Sequence, residues 1–444
     1  GPGYVSALSV PGVNGFGLIQ SATPFTPSQQ TKDWMQKQVD DFKKSSPQNL
    51  QVYNDFVAYV AGLNAWYGGP GGKPAQANWT VRDAFAAFSF IGSIFGNGGG
   101  DEVGNANFLA KLQAQYGQTE GLRIFRDFRH SNDLDAPVSW KDSAFPYNNQ
   151  PANTLNSQVP GSAVIDADSL SQGVAVAAQA SGKSLAKRYM SNALLVPASR
   201  SATGHPLAVM GPQLGYFYPE IVMEAEVHGG GYDFRGAVAP VAPYGLIGRG
   251  RDFAWSLTSA SSDNTDQFLE KLCVPGGGTA TRTTHYYEYK GHCIAMSIFD
   301  AGLLATSSAY GPAHELKFYY TVHGPVSGTV LVGGKPYAVS NQRATWGREP
   351  WSARALADLS TGVVHDAPSF FQVANEFDTT FNWHYLDSAN ICFFSSGRLP
   401  VRASGIDSSL PTLGTGAYNW KSFLSRDQHP HGCNPKPVKN DLVS

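Results

Sequence analysis

The sequence predicts an α+β protein on three observations. Apolar residues recur at helical spacing up to about residue 128, short strands separated by turns begin at Ser191, and an irregular stretch rich in Pro, Asn and Ser lies between the two. The first helical pattern covers residues 28–66, through Trp34, Val39 and Phe42, then Val52, Phe56 and Val60. The stretch 81–96 continues it with Val81, Phe85, Phe88, Ile91 and Ile94. Further helices are expected over 102–116 (Val103, Phe108, Leu109, Leu112) and 119–128, and Pro137 closes the block. Residues 140–165 read as an irregular connector, and the Ala- and Ser-rich 167–189 has helical propensity and ends in Lys183, Lys187 and Arg188.

From Ser191 the expected strands are Ala193–Val196, Leu207–Met210, Ile221–Val227, Tyr232–Ala237 and Phe253–Leu257. Further along are Tyr286–Tyr289, Cys293–Ile298, Phe318–Thr321, Thr329–Leu331, Tyr337–Val339 and Ile391–Phe394. Two helices are expected among them, near 266–272 and 368–376. No internal repeat is visible.

At 444 residues the chain is long enough for two or three domains with a substantial core. Its net charge of −2 argues against nucleic-acid binding by bulk electrostatics, and no polybasic run marks a membrane surface. No apolar run approaches the ~20 residues of a membrane-spanning helix. Gly1-Pro2-Gly3 carries no signal-peptide pattern and reads as a processed end. None of the four cysteines has zinc-like spacing. Cys273 and Cys293 bracket a turn and a strand, which suits a disulfide closing a hairpin, and Cys392 with Cys433 then forms the second bridge. An even count favours an oxidising compartment, secreted or periplasmic, over buried free thiols.

Several ordered motifs carry the functional reading. They are Ser191-Asn192, Gly211-Pro212-Gln213-Leu214-Gly215-Tyr216, His228-Gly229-Gly230-Gly231-Tyr232-Asp233 and Phe253-Ala254-Trp255-Ser256-Leu257-Thr258-Ser259. Asn382-Trp383, Asp387, Asn390-Ile391, Gly397 to Arg402 and Gly414 to Trp420 follow. In this order they resemble the penicillin acylase family of N-terminal-nucleophile (Ntn) amide hydrolases, and Val60 to Trp66 with Asp101 to Leu109 resemble its small subunit. The resemblance covers residues 28–433, and a full family large subunit runs further than this chain. It implies an αββα sandwich core after a mostly helical small-subunit-like segment, 1–166. Residues 167–190 would be a spacer ending at a self-cleavage point between Met190 and Ser191, and 191–444 the strand-rich catalytic segment.

The implied chemistry is coherent. Ser191 Oγ attacks an amide carbonyl, and the α-amine freed on the same residue takes its proton. Such an amine has an unperturbed pKa of about 7.7–8.0, so a usable fraction is neutral near pH 7. Gln213 matches a position whose backbone orients that amine, Arg402 one whose charge tunes amine and substrate. The oxyanion donors implied are the backbone N–H of Ser259 and the side-chain amide of Asn382, each such donor being worth ~3 kcal/mol of barrier. The acyl pocket falls on Leu214, Leu246, Ile247, Leu257, Ile94 and Phe95, an aliphatic wall that favours an alkyl chain or a displaced aromatic one. Glu102, Asp263, Thr265 and Asp266 supply hard oxygens suited to a structural Ca²⁺, which would tie the two segments together after cleavage. The bland alternative is an Asp-rich loop satisfied by hydrogen bonds.

The implied partner is a small N-acyl substrate: a penicillin, or an acyl-homoserine lactone or lipopeptide with an aliphatic acyl group. A non-catalytic binding scaffold of the same fold is the reading from another class. A conventional Ser-His-Asp hydrolase is disfavoured, because no GxSxG elbow is present.

Overall fold

Two short helices that the apolar pattern does not announce open the chain, α1 (Pro2–Leu8) and α2 (Gly15–Gln20), and β1 (Phe25–Pro27) follows. Helix α1 is buried from Gly3 to Leu8. It lies so close to the fifth helix that a Cβ on Gly3 would run into the Ala86 carbonyl. A computed structural model describes residues 1–70, 72, 78–128, 159–170, 191–214 and 221–434. Met190, most of the expected 167–190 spacer and most of the 140–165 connector lie outside the described residues.

The expected helix over 28–66 is two helices, α3 (Gln29–Ser45) and α4 (Pro47–Gly68). Ser46 adopts an extended conformation between them and its side chain accepts from Asn49 N, while Pro47 takes the first-turn position where its missing N–H costs nothing. Next come α5 (Val81–Phe95), α6 (Glu102–Tyr116) and α7 (Gln118–Phe128). Thr80 and Asp83 start α5 with a reciprocal capping box. Phe56 and Phe85 pack at 4.4 Å, and Phe42 and Phe85 at 5.6 Å, joining α3, α4 and α5.

From Ser191 the chain runs through β2 (Ala193–Val196), β3 (Leu207–Met210), β4 (Met223–Gly229), β5 (Tyr232–Val238) and β6 (Gly245–Arg249). Next are β7 (Phe253–Ser259), β8 (Thr265–Lys271), β9 (Tyr286–Tyr289), β10 (His292–Ala295) and β11 (Ser297–Leu304). Then follow β12 (His314–Thr321), β13 (Gly324–Val332), β14 (Lys335–Arg343), α8 (Ala353–Ser360) and α9 (Ala367–Ala374). The last strands are β15 (Phe381–Asp387), β16 (Ile391–Ser395), β17 (Pro400–Val401), β18 (Thr412–Leu413), β19 (Ser422–Phe423) and β20 (His431–Cys433).

Two seven-stranded sheets organise these strands, giving the α+β class the sequence predicts. One has the order β20-β16-β15-β7-β6-β5-β4, the other β1-β11-β12-β13-β14-β8-β18. In the first, Leu257 pairs with Trp383 and Trp255 with Tyr385, so one face is a continuous aromatic floor. Helix α9 packs on that floor through Phe370, 4.9 Å from Tyr385. Helices α3 and α6 meet the second sheet at β11 and β8.

One expected element is of the wrong type. The helix expected near 266–272 is the strand β8, paired residue by residue with β14 from Thr265–Arg343 to Lys271–Tyr337. Asp-Gln-Phe-Leu-Glu-Lys has good helix formers, but pairing on both sides, with β18 on the other edge, overrides that preference. The expected strand Cys293–Ile298 is split at Met296: up to that residue the chain pairs with β9, Met296 N still donating to His285 O at 2.9 Å, and from Ser297 it pairs with β12 instead.

Both disulfides expected from the cysteine positions are present, Cys273–Cys293 and Cys392–Cys433. The second joins β16 to the last strand across 41 residues. Replacing Cys392 and Cys433 together by Ser is expected to lower the unfolding free energy by about 3–4 kcal/mol, from loop entropy returned to the unfolded chain. A urea titration of the double variant against the oxidised protein reads this directly.

Candidate active site

Ser191 sits just before β2, and the hairpin β2–β3 is what places it. Gly211 N donates to Asn192 O at 2.8 Å, and Ala193 pairs with Met210. Gln213 N donates to Ser191 Oγ at 3.4 Å, while Asn192 Nδ2 donates to Gln213 Oε1 at 3.1 Å. The hairpin is docked on the first sheet by Ser256, whose hydroxyl donates to the Gly211 carbonyl.

Ser191 opens onto a cavity of about 270 Å³ where β7 ends and β15 begins. Its aliphatic wall is Ile91, Ile94, Leu214, Leu246 and Leu257, with Phe95 and Phe381, and its polar atoms come from Asn97, Gln213, Ser259 and Ser261. Of the six residues expected around an acyl group, five line it. Ile247 does not. It lines a separate cleft of about 890 Å³ on the other side of β6, because neighbouring strand residues point to opposite faces and Leu246 takes the inner one.

The same alternation places Asn382. Phe381 pairs with Ser259 and lines the cavity, whereas Asn382 pairs with Thr258 and shares its sheet face with Ser256 and His384. That is the face on which the Ser191 hairpin is docked. The hydroxyl of Ser259 donates to the Phe95 carbonyl, which ties the end of β7 to the end of α5 and leaves the residue exposed at the cavity rim.

The helical segment reaches the site through residues 95–103. Asn264 N donates to Gly98 O at 3.2 Å, Gly98 N donates to Asn264 Oδ1 at 3.2 Å, and Thr380 N donates to Gly96 O at 2.8 Å. A Cβ on Gly98 would strike the Ser261 carbonyl, so only glycine permits this approach. Thr265, at the start of β8, forms an isolated parallel bridge with Gly99.

Beyond that bridge the carboxylates of Glu102, Asp263 and Asp266 converge, with one oxygen of each within 4.8 Å of the others. Glu102 accepts from Gly100 N and Gln267 N, each at 3.3 Å. Burial, then Asp266 and Asp263, holds its carboxyl well above the usual carboxylate range. Arg402 belongs to this cluster. Its guanidinium donates to Asp266 Oδ1 at 2.7 Å and lies 2.8 Å from Asp263 Oδ2. Trp420 Nε1 adds a bond of 2.6 Å to Asp266 Oδ2. Arg402 was expected beside the nucleophile, yet it is not among the described residues lining the Ser191 cavity. Three carboxylates in one partly buried place attract the guanidinium more strongly than a neutral hydroxyl does.

Hard oxygens and excess negative charge fit a divalent cation, although Asp266 already accepts Arg402 Nε and Nη2 and the Trp420 indole. Sequence reasoning gave no separate role to Ser256 or Trp420, each of which holds the site through a side-chain hydrogen bond that no residue type or spacing announces. Ile91, one turn before Ile94 and Phe95, was legible from helical spacing as a neighbour of the same wall.

The model of the penicillin amidase family matches residues 25–443. The chain belongs to the penicillin amidase family. It is 25% identical over 430 residues to penicillin G acylase of Escherichia coli, covering 88% of this chain and 49% of that protein. The acyl-homoserine lactone acylase QuiP of Pseudomonas fluorescens is 27% identical over 256 residues, covering 57% of this chain and 29% of that protein. A thermostable penicillin G acylase from Alcaligenes faecalis matches in structure with a TM-score of 0.48 at 25% identity, over 57% of this chain and 45% of that chain. The chain thus spans about half the length of the penicillin G acylase it matches. Within the family its relatives are acylases, enzymes that hydrolyse amides.

Two histidines packed at the first sheet, His384 on the face opposite the aromatic floor and His429 beside Phe394, give a pH signature. Burial pushes His384 and His429 down to about 4. In the unfolded chain a histidine titrates at about 6.5, so as pH falls below that value the unfolded state takes up the protons first. Stability is therefore expected to fall between pH 6.5 and 4 and to level off below that with respect to these groups. Urea midpoints across this range, compared with a His384→Gln variant, should show a shallower fall in the variant.

Proposed function

We propose that this chain is an acyl-amide hydrolase whose nucleophile is Ser191 Oγ and whose base is the α-amine released when the Met190–Ser191 bond is cut. The observation that carries this is the placement of Ser191 at a small cavity with an aliphatic wall and a hydroxyl and amide rim, in a chain of the penicillin amidase family. The Oγ attacks the substrate carbonyl carbon as its proton passes to the amine. Negative charge gathers on the carbonyl oxygen, where the Ser259 N–H and the Asn382 amide are the proposed donors. Collapse breaks the C–N bond, the leaving amine takes the proton, and water then hydrolyses the acyl ester to regenerate Ser191. Gln213 contributes through its backbone, whose N–H already reaches Ser191 Oγ.

The wall of Ile91, Ile94, Leu246 and Leu257 favours a straight alkyl acyl group over phenylacetyl, which supports N-acyl-homoserine lactones or lipopeptides as substrates beside penicillins. One methylene in such a pocket discriminates by only about 1–3 kcal/mol, so a broad acyl range is expected.

A structural Ca²⁺ is proposed at Glu102 and Asp263, with Asp266 lending charge. Once a cation draws the proton from Glu102, three carboxylates against the Arg402 guanidinium leave two negative charges, which a divalent ion balances. Glu102 comes from the helical segment and the aspartates from the strand segment, so the ion would help to join them after cleavage. Two disulfides support a secreted or periplasmic location.

Intact-mass analysis of the purified protein is expected to show a fragment beginning Ser-Asn-Ala-Leu, and amine release from N-acyl substrates should accompany it. Ser191→Ala should abolish both while leaving the circular dichroism spectrum unchanged. An unsplit chain with no amidase activity, or a Ser191→Ala variant that keeps every function, would establish the binding-scaffold reading instead. Calcium is expected to raise the melting temperature of the wild type and to leave that of Glu102→Gln unmoved.

A further inference from the structure

The cavity beside Ser191 is closed at its back by the last turn of α5, through Ile91, Ile94 and Phe95. Behind that turn lies a second cavity of about 530 Å³, formed against α1 and α2 and the glycines that follow α5. Its apolar wall is Val5, Val10, Val13 and Phe16. Among the described lining residues of the two spaces, Ile94 alone belongs to both. It lies one residue before the end of α5, and its neighbours Gly92 and Ser93 are small.

We propose that Ile94 is the partition that sets acyl-chain length, and that the space behind it is a latent extension of the acyl pocket for long, straight alkyl chains. This rests on the reading that Ser191 attacks an acyl amide whose chain runs into the smaller cavity. In that pose the chain grows toward α5 and stops at one branched side chain. Beyond it three valines and a phenylalanine form an apolar wall, so a longer chain that passed the partition would find apolar contact along that wall. Each buried methylene then continues to add about fourfold in affinity. The other side of the second cavity is polar, with Ser9, Asn14, Thr265, Asn341 and Arg343 among its lining residues, and suits a hydroxyl or oxo substituent on the far part of the chain. Arg343 is itself committed to Glu349 and to the Ser6 and Ala7 carbonyls, so it offers no strong site for a terminal carboxylate.

Calorimetric titration of straight-chain carboxylates of increasing length, the acyl products, reads the pocket without relying on catalysis. In the wild type, affinity is expected to rise about fourfold per methylene and then to stop rising at the length where the chain meets Ile94. In Ile94→Ala the plateau should move several methylenes further, and in Ile94→Phe it should come earlier. Amine release from the matching N-acyl amides should shift in the same sense. A folded Ile94→Ala protein with an unchanged plateau overturns the proposal. Should that variant fail to fold, Ile94→Val removes one methyl and must still lengthen the plateau slightly, no change again overturning it. The two readings are separable. A shifted binding plateau without amine release from any amide rejects the hydrolase and keeps the partition, whereas amine release with an unshifted length profile rejects the partition alone.

Discussion

The close seating of residues 95–103 on residues 259–267 is the constraint on which the rest of the site depends. It is made of bonds to the backbone of residues 95–98: Asn264 reaches Gly98 through its main chain and its side chain and Ser259 Oγ donates to Phe95 O, while Thr380 N, just before β15, donates to Gly96 O. Side chains would prevent it. A Cβ at Gly98 or Gly99 would run into the Ser261 carbonyl or the Asp263 carboxylate. Because this seam is tight, one segment can supply the back wall of the Ser191 cavity and a carboxylate of the acidic cluster, while the other supplies the nucleophile and two aspartates.

The first sheet then divides its labour between faces. Its inner face carries Phe253, Trp255, Leu257, Phe381, Trp383 and Tyr385, all buried, which makes a largely aromatic floor. Its other face carries Ser256, Thr258 and Asn382, polar groups that can hold the Ser191 hairpin and meet a polar reaction centre. A strand has period two, so both jobs are written into the same two strands, β7 and β15, of seven residues each. The cavity forms where these strands end, at Ser259 and Phe381, because there the inner face comes level with α5.

The second sheet is held by polar bonds as much as by packing. Asp266 and Glu270 lie on one face of β8. Asp266 takes Arg402 and Trp420, and Glu270 takes Thr321 Oγ1 at 2.8 Å and His323 Nδ1 at 2.7 Å. His323 Nε2 reaches Asn419 Oδ1 at 2.9 Å. Asn419 and Trp420 are neighbours, so one stretch of chain is fastened to β8 directly at Asp266 and through His323 at Glu270. Breaking a buried pair of this kind leaves a charge without its partner, which is far costlier than losing an exposed ion pair. That is a reason for β8 to be a strand despite its helix-forming composition.

The sequence by itself determined the α+β class, the helices α5 to α7 within a few residues, the helical run that divides into α3 and α4, both disulfides and the family, because these rest on periodicity, counted cysteines and ordered motifs. It also pointed to the residue types of the acyl wall, since Leu214, Leu246, Leu257 and Ile94 are apolar wherever they face. Only the tertiary structure decided that β8 is a strand, that Ile247 turns away while Leu246 turns in, and that the guanidinium of Arg402 joins the acidic cluster. Each of those depends on which neighbour lies across a gap, and a sequence records the chain's own order, not what is brought alongside it. The seam between Gly98 and Ser261 belongs to the same class: the glycine is legible, but the carbonyl it makes room for is 163 positions away.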